Sequence, residues 1–125
     1  MRRVVALAAL SLLLAAPASA ATIRVAMTAQ SHHPLVGKTW WYQVKVTDAA
    51  GKPVAAKIHL QILFAGSPVG QVGVHRVANG VWREVIGKGA NTPFPAAARG
   101  QRLVLQAVVT AKGQTVKRNW PIVVR

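Results

Sequence analysis

The chain of 125 residues has no cysteine and only two carboxylates, Asp48 and Glu84. Without cysteine it gains no disulfide in an oxidising compartment, and no lipid can be attached behind its apolar start. Stability must come from packing alone. The scarcity of acids also excludes most catalysis. Asp48 reads as part of a turn and Glu84 as part of a strand, so no carboxylate pair for glycosidic acid–base work is expected. A hydrolytic triad fails similarly, because Ser31 and Ser67 read into loops at one end of the molecule and Asp48 at the other. Strands of this length separate those ends by about 20 Å. There is no glycine-rich phosphate loop followed by a helix, and no segment after residue 20 carries a helical period. Neither an enzyme nor a resident cofactor is expected.

What is present begins with Met1-Arg2-Arg3, followed by an apolar run from Val4 to Ala16. The run is too short to span a bilayer, and it ends in Ala18-Ser19-Ala20, the small residues a signal peptidase reads. This predicts a helical secretory signal peptide over residues 1–20 and one domain over residues 21–125. No transmembrane span is expected after cleavage. The expected location is secreted or periplasmic, within the cell envelope.

Lys and Arg number 16 against the two acids, a formal net charge of +14. Without Arg2 and Arg3 the remainder carries about +12, and a domain so charged seeks polyanions. The expected partner is an anionic cell-envelope component or an envelope protein. Nucleic acid is not expected once the chain is exported.

Period-two alternation runs through residues 21–125, which predicts β-strands. TIRVAMT sets Ile23, Val25 and Met27 against Thr22, Arg24 and Ala26. WWYQVKV sets Trp40, Tyr42, Val44 and Val46 against Trp41, Gln43 and Lys45. DAAGKP is a turn, and AKIHLQILF places Ala56, Ile58, Leu60, Ile62 and Phe64 on one face. VGQVGVHRVA and GVWREVIGK meet at Asn79-Gly80, a dipeptide that predicts a two-residue hairpin. Such a hairpin would set His75 opposite Glu84 and Arg76 opposite Arg83. ANTPFPAAARGQ reads as a long loop. A last hairpin, turning at Lys112-Gly113, sets Val109 against Val116, Leu105 against Trp120 and Leu103 against Ile122. Seven short strands with turns between them predict an all-β, seven-stranded immunoglobulin-like antiparallel β-sandwich.

The phrase VKVTDAAGKPV, followed by an alternating strand and later by NGVWREVI, resembles the small bacterial immunoglobulin-like domains. Among these the chain is most similar to the YtkA-like group, through its D-x-x-G-K-P-V turn and its later G-x-aromatic strand. The resemblance covers Pro34 to Arg125 and implies the sandwich fold. Some such domains carry Met and His after the third strand. Here that region reads GSPVGQVGV, so the resemblance implies no metal role.

Three clusters are candidates for binding. His32 and His33, with Met27 approaching from the end of the first strand, form the candidate metal contact, although His59 and His75 fall too far along their strands to complete a ligand set. Trp41, pointing outward between Gln43 and Lys45, can stack on a sugar or anchor a partner. Arg76 and Arg83, opposed across the predicted hairpin, could focus an anion site. The leading expectation is a non-enzymatic exported domain that binds an anionic polymer or a protein through a basic surface. A copper- or other metal-handling domain and a carbohydrate-binding module are the alternatives.

Overall fold

A computed structural model describes residues 22–89 and 91–125. The expected signal peptide over 1–20 lies outside the described residues. Strands β1 (Ile23–Ala29), β2 (Trp40–Asp48) and β5 (Val81–Ile86) form a three-stranded antiparallel sheet in the order β1-β2-β5. Strands β3 (Ala56–Phe64), β4 (Ser67–Val77), β6 (Arg102–Ala111) and β7 (Gln114–Val123) form a four-stranded sheet in the order β4-β3-β6-β7. A 3-10 turn, Ala96–Ala98, interrupts the loop before β6.

The alternation read from the sequence sets the faces. Tyr42, Val44 and Val46 of β2 are fully buried, as are Ile58 and Leu60 of β3 and Ala107 and Val109 of β6. These residues meet between the sheets, where burying each aliphatic side chain contributes about 1.5–3 kcal/mol. Phe94 joins the core from the long loop, its ring edge-on to Trp40 at 6.0 Å. The β6–β7 hairpin has the expected register, with Val109 opposite Val116, Leu105 opposite Trp120 and Leu103 opposite Ile122. Trp120, however, is only partly buried.

Asn79-Gly80 does not close a hairpin. β4 pairs with β3 and β5 pairs with β2, so the dipeptide carries the chain from one sheet to the other. The two-residue hairpin turn needs positive φ at both central positions. Gly80 has φ +71°, but Asn79 is not among the residues of positive φ. Lys112-Gly113 has both, at 48° and 73°, and so has Ala65-Gly66, at 50° and 82°, which turns β3 into β4. Gly80 is also pressed onto backbone. A Cβ there would lie 2.4 Å from the Val46 carbonyl oxygen and 2.8 Å from that of Val54. Only glycine allows the chain to cross so close to β2.

The register of β3 against β4 slips twice, between Leu60 and Gln61 and between Ile62 and Leu63. Bulges of this kind bend a strand and sharpen its twist. Beside the second slip Val69 is 60% exposed.

Candidate functional site

Because Tyr42, Val44 and Val46 point inward, Trp41, Gln43 and Lys45 occupy the outer face of the three-stranded sheet. Arg83 pairs with Gln43 in register, and its guanidinium carbon sits 4.5 Å from the centre of the Trp41 ring. An exposed cation–π contact of this kind contributes about 0.5–1 kcal/mol. Arg24, one strand further on, is opposite Thr47, and Lys45 is opposite Ala26. Arg24, Lys45 and Arg83 are all exposed. Neither carboxylate of the chain lies among them. Glu84 points between the sheets beside Tyr42. Asp48 turns away into its loop, where its Oδ1 accepts the Ala50 and Lys52 amides at 2.9 Å each. The Lys52 amide is the largest influence holding this carboxyl below the ordinary carboxylate range, with the Ala50 amide assisting.

Arg76 does not join this face. It lies opposite Lys57 on the four-stranded sheet, while Arg83 belongs to the other sheet. Their neighbours His75 and Glu84 meet between the sheets, so alternation turns the two arginines outward on opposite sides. The expected Arg76–Arg83 opposition rested on a hairpin that does not form.

His32 and His33 lie in a segment that runs along the end of β7. Val123 donates its amide to the His32 carbonyl at 2.8 Å, Arg125 to the Pro34 carbonyl at 2.9 Å, and Val36 to the Arg125 carbonyl at 2.8 Å. The His32 ring stacks on Trp120 at 4.1 Å, and its Nδ1–H donates to the Pro121 carbonyl at 2.6 Å. His33 makes a longer contact of the same kind, 3.4 Å to the Val123 carbonyl. Both residues are exposed. Met27 packs partly against the core. Ser31 ties the two sheets together, its carbonyl accepting the indole N–H of Trp40 at 3.2 Å and of Trp120 at 3.0 Å. Among the described residues no three His, Asp or Glu side chains converge as a metal site.

A second cluster occupies the opposite side of the sandwich, between β4 and β5. Trp82 stacks on His75 at 3.6 Å and donates its indole N–H to the Tyr42 hydroxyl at 3.0 Å. Tyr42 in turn donates to Glu84 Oε2 at 3.2 Å, and His75 Nε2 lies 3.7 Å from the same oxygen. Burial pushes the Tyr42 hydroxyl far above the ordinary phenol range, and the neighbouring carboxylate adds to the shift. Glu84 Oε1 is enclosed and has no hydrogen-bond partner among the described residues. Beside it lies a cleft of about 440 Å³, walled by Ile62, Gly70, Ile86 and the 91–95 segment. The sequence pairs His75 with Glu84, and the pair is present, but it forms across the sheets. The cleft was not legible, although one signal was available: a lone carboxylate at an inward position of its strand.

No protein-family model matches the chain, nor does any curated protein sequence. Similarity does appear among solved structures. The CARDB domain of a Pyrococcus furiosus protein superposes with a TM-score of 0.56 at 17% identity, over 83% of this chain and 93% of that one. The chain is a β-sandwich of immunoglobulin-like type. The Bacillus subtilis sporulation control protein Spo0M gives a TM-score of 0.48 at 11% identity, over 82% of this chain and 49% of that one. A Listeria innocua β-glucosidase gives 0.41 at 10%, over 83% of this chain but 16% of the enzyme. Among the described residues no helix is long and apolar enough to cross a membrane.

Proposed function

We propose that this sandwich is a non-catalytic binding domain of the cell envelope, secreted or periplasmic, that engages an anionic polymer through the outer face of its three-stranded sheet. One observation carries the reading: Arg24, Lys45 and Arg83 share the outer face with Trp41, Arg83 against its indole, and neither carboxylate of the chain intervenes there. Arg83 is held by the indole, so its guanidinium is partly ordered before a partner arrives. Guanidinium groups suit phosphate and carboxylate oxygens because their donors match two acceptors at once. The D-x-x-G-K-P-V turn keeps the YtkA-like group as the proposed kinship.

The test is binding of the exported protein to polyphosphate across a salt series. Screening shortens the reach of the field from about 10 Å at 0.1 M salt to about 3 Å at 1 M, so binding should fall steeply. The Lys45→Ala/Arg83→Ala double variant should weaken it more than Lys57→Ala/Arg76→Ala, which removes the same charge from the opposite face. Equal losses would reduce the effect to diffuse charge and overturn the assignment of a face. A neutral glycan could use Trp41 only by displacing Arg83, which places the carbohydrate reading third.

One observation supports a metal reading in second place. The Nδ1–H of His32 is committed to a carbonyl, which leaves Nε2 of the neutral ring as the ligating atom, an orientation metal-binding histidines commonly use. His33 adjoins it, and the Pyrococcus furiosus domain is described in complex with di-metal ions. Titration with Cu(I), Cu(II) and Zn(II) decides. Submicromolar binding lost in a His32→Ala/His33→Ala variant would place this reading first.

A further inference from the structure

Glu84 is an unusual carboxylate for so basic a chain. Its side chain is only 9% exposed, and no lysine or arginine is paired with it among the described residues. Tyr42 donates to Oε2 and His75 lies near the same atom, while Oε1 is closed off from solvent and has no partner among the described residues. A buried carboxylate oxygen left so is costly, because the hydration it gives up is not replaced. The carboxylate nevertheless borders a cleft of about 440 Å³. That volume lies within the range of small-molecule sites, roughly 300–1,000 Å³. The other walls are mixed: Ile62, Val69, Ile86, Pro93 and the buried Phe94 give apolar surface, and Asn91 and Thr92 give polar surface.

We propose that this cleft binds a small organic ammonium ion, with an apolar body against Ile62, Ile86 and Phe94 and its N–H donors toward Glu84 Oε1. A single carboxylate beside apolar and neutral polar groups suits an organic cation better than a divalent metal ion, which demands several oxygen ligands. Oε1 is reached by a turn of the carboxylate about its terminal torsion, a soft and broad one. Val69 and Gly70, beside the second register slip of β4, line the cleft. This site is separate from the basic face, and its salt response has the opposite sign. The protein's overall positive field repels a cation, so added salt relieves the repulsion, whereas the enclosed contact with Glu84 is screened little.

The experiment titrates the exported protein with 2-phenylethylammonium and follows the amide resonances of Gly70 and Ile86 and the indole resonance of Trp82. The expected result is a saturable shift at all three, no weaker at 0.5 M salt than at 0.05 M. The neutral analogue 2-phenylethanol should bind at least about tenfold more weakly, as should the ammonium ion to Glu84→Gln, since a charge-assisted hydrogen bond is lost. Gly70→Leu keeps the carboxylate and fills the cleft. A Cβ at residue 70 would meet Ile62 at an ordinary 3.8 Å, so the backbone accepts the side chain. Gly70→Leu should abolish the shifts and decides the matter if Glu84→Gln does not fold. The proposal is overturned if the shifts do not saturate, if the alcohol binds as well as the ammonium ion, or if Gly70→Leu binds unchanged.

Discussion

Along the side where β1 meets β7, the sheets are fastened by direct bonds. Arg118 donates to the Val25 carbonyl at 3.2 Å, the Ile23 amide to the Gln114 side chain at 3.1 Å, and Trp40 and Trp120 both donate to Ser31. Along the side where β4 faces β5, each strand pairs only within its own sheet among the described residues. A cluster of His75, Trp82, Tyr42 and Glu84 spans the gap, and a cleft follows it. The same fold thus closes one edge with satisfied polar groups and leaves on the other a carboxylate oxygen without a hydrogen-bond partner among the described residues. Closed edges favour stability, and open edges favour binding. The two call for different mutational responses.

The largest effect should come from the closed side. Trp40 is 1% exposed and joins β2 to Ser31 and Phe94. Trp40→Ala should cost about 3–5 kcal/mol in denaturant unfolding, the range for a buried aromatic truncated to alanine. It should also speed amide hydrogen exchange along β1 and β7 more than along β4. Equal acceleration everywhere would erase the distinction between the edges.

Gly80→Ala tests the crossover at the start of the open side. Its Cβ would collide with the Val46 and Val54 carbonyls, and a residue at φ +71° adds backbone strain. A loss of about 3 kcal/mol is expected, near the top of the ordinary mutational range. A loss no larger than that of Gly113→Ala, whose Cβ would meet nothing within 4 Å, would mean that the close approach is not what matters.

Tyr42→Phe should cost less, about 1–3 kcal/mol, because it withdraws the hydroxyl partner from a buried carboxylate. The pH dependence sharpens this further. The Tyr42 pKa is raised on folding, so its contribution is complete below the ordinary phenol value of 10.0 and is lost as pH rises through the folded pKa. The wild-type chain should therefore lose stability above pH 10.0, and Tyr42→Phe should flatten that limb. Tyr42 is the single tyrosine, so absorbance reads its ionisation directly. A phenol ionising at the ordinary value while the fold persists would contradict the buried cluster.

The smallest stability effect belongs to the outer face. Arg83→Ala removes one exposed contact with Trp41 and should change stability by no more than about 0.5 kcal/mol. It should nevertheless reduce polyphosphate affinity and the steepness of its salt dependence. A stability loss above that, with binding unchanged, would make Arg83 a structural cover for the indole.

Much of this molecule follows from near neighbours in the chain. Alternation turned Tyr42, Val44 and Val46 inward and Trp41 outward, and Lys112-Gly113 set the β6–β7 register residue by residue. Both depend on the two-residue period of a strand or on φ at two adjacent positions, so local sequence suffices. Excess positive charge is equally local, since it is carried by composition. Tertiary structure decided the rest. Whether Asn79-Gly80 turns back or crosses over depends on how it meets the Val46 and Val54 backbones, which lie far away in sequence. That choice sent Arg76 and Arg83 to opposite faces and brought His75 and Glu84 together between the sheets. Which sheet a strand joins is fixed by hydrogen bonds and packing with distant partners, and two edge strands with mixed faces carry no local mark of that choice.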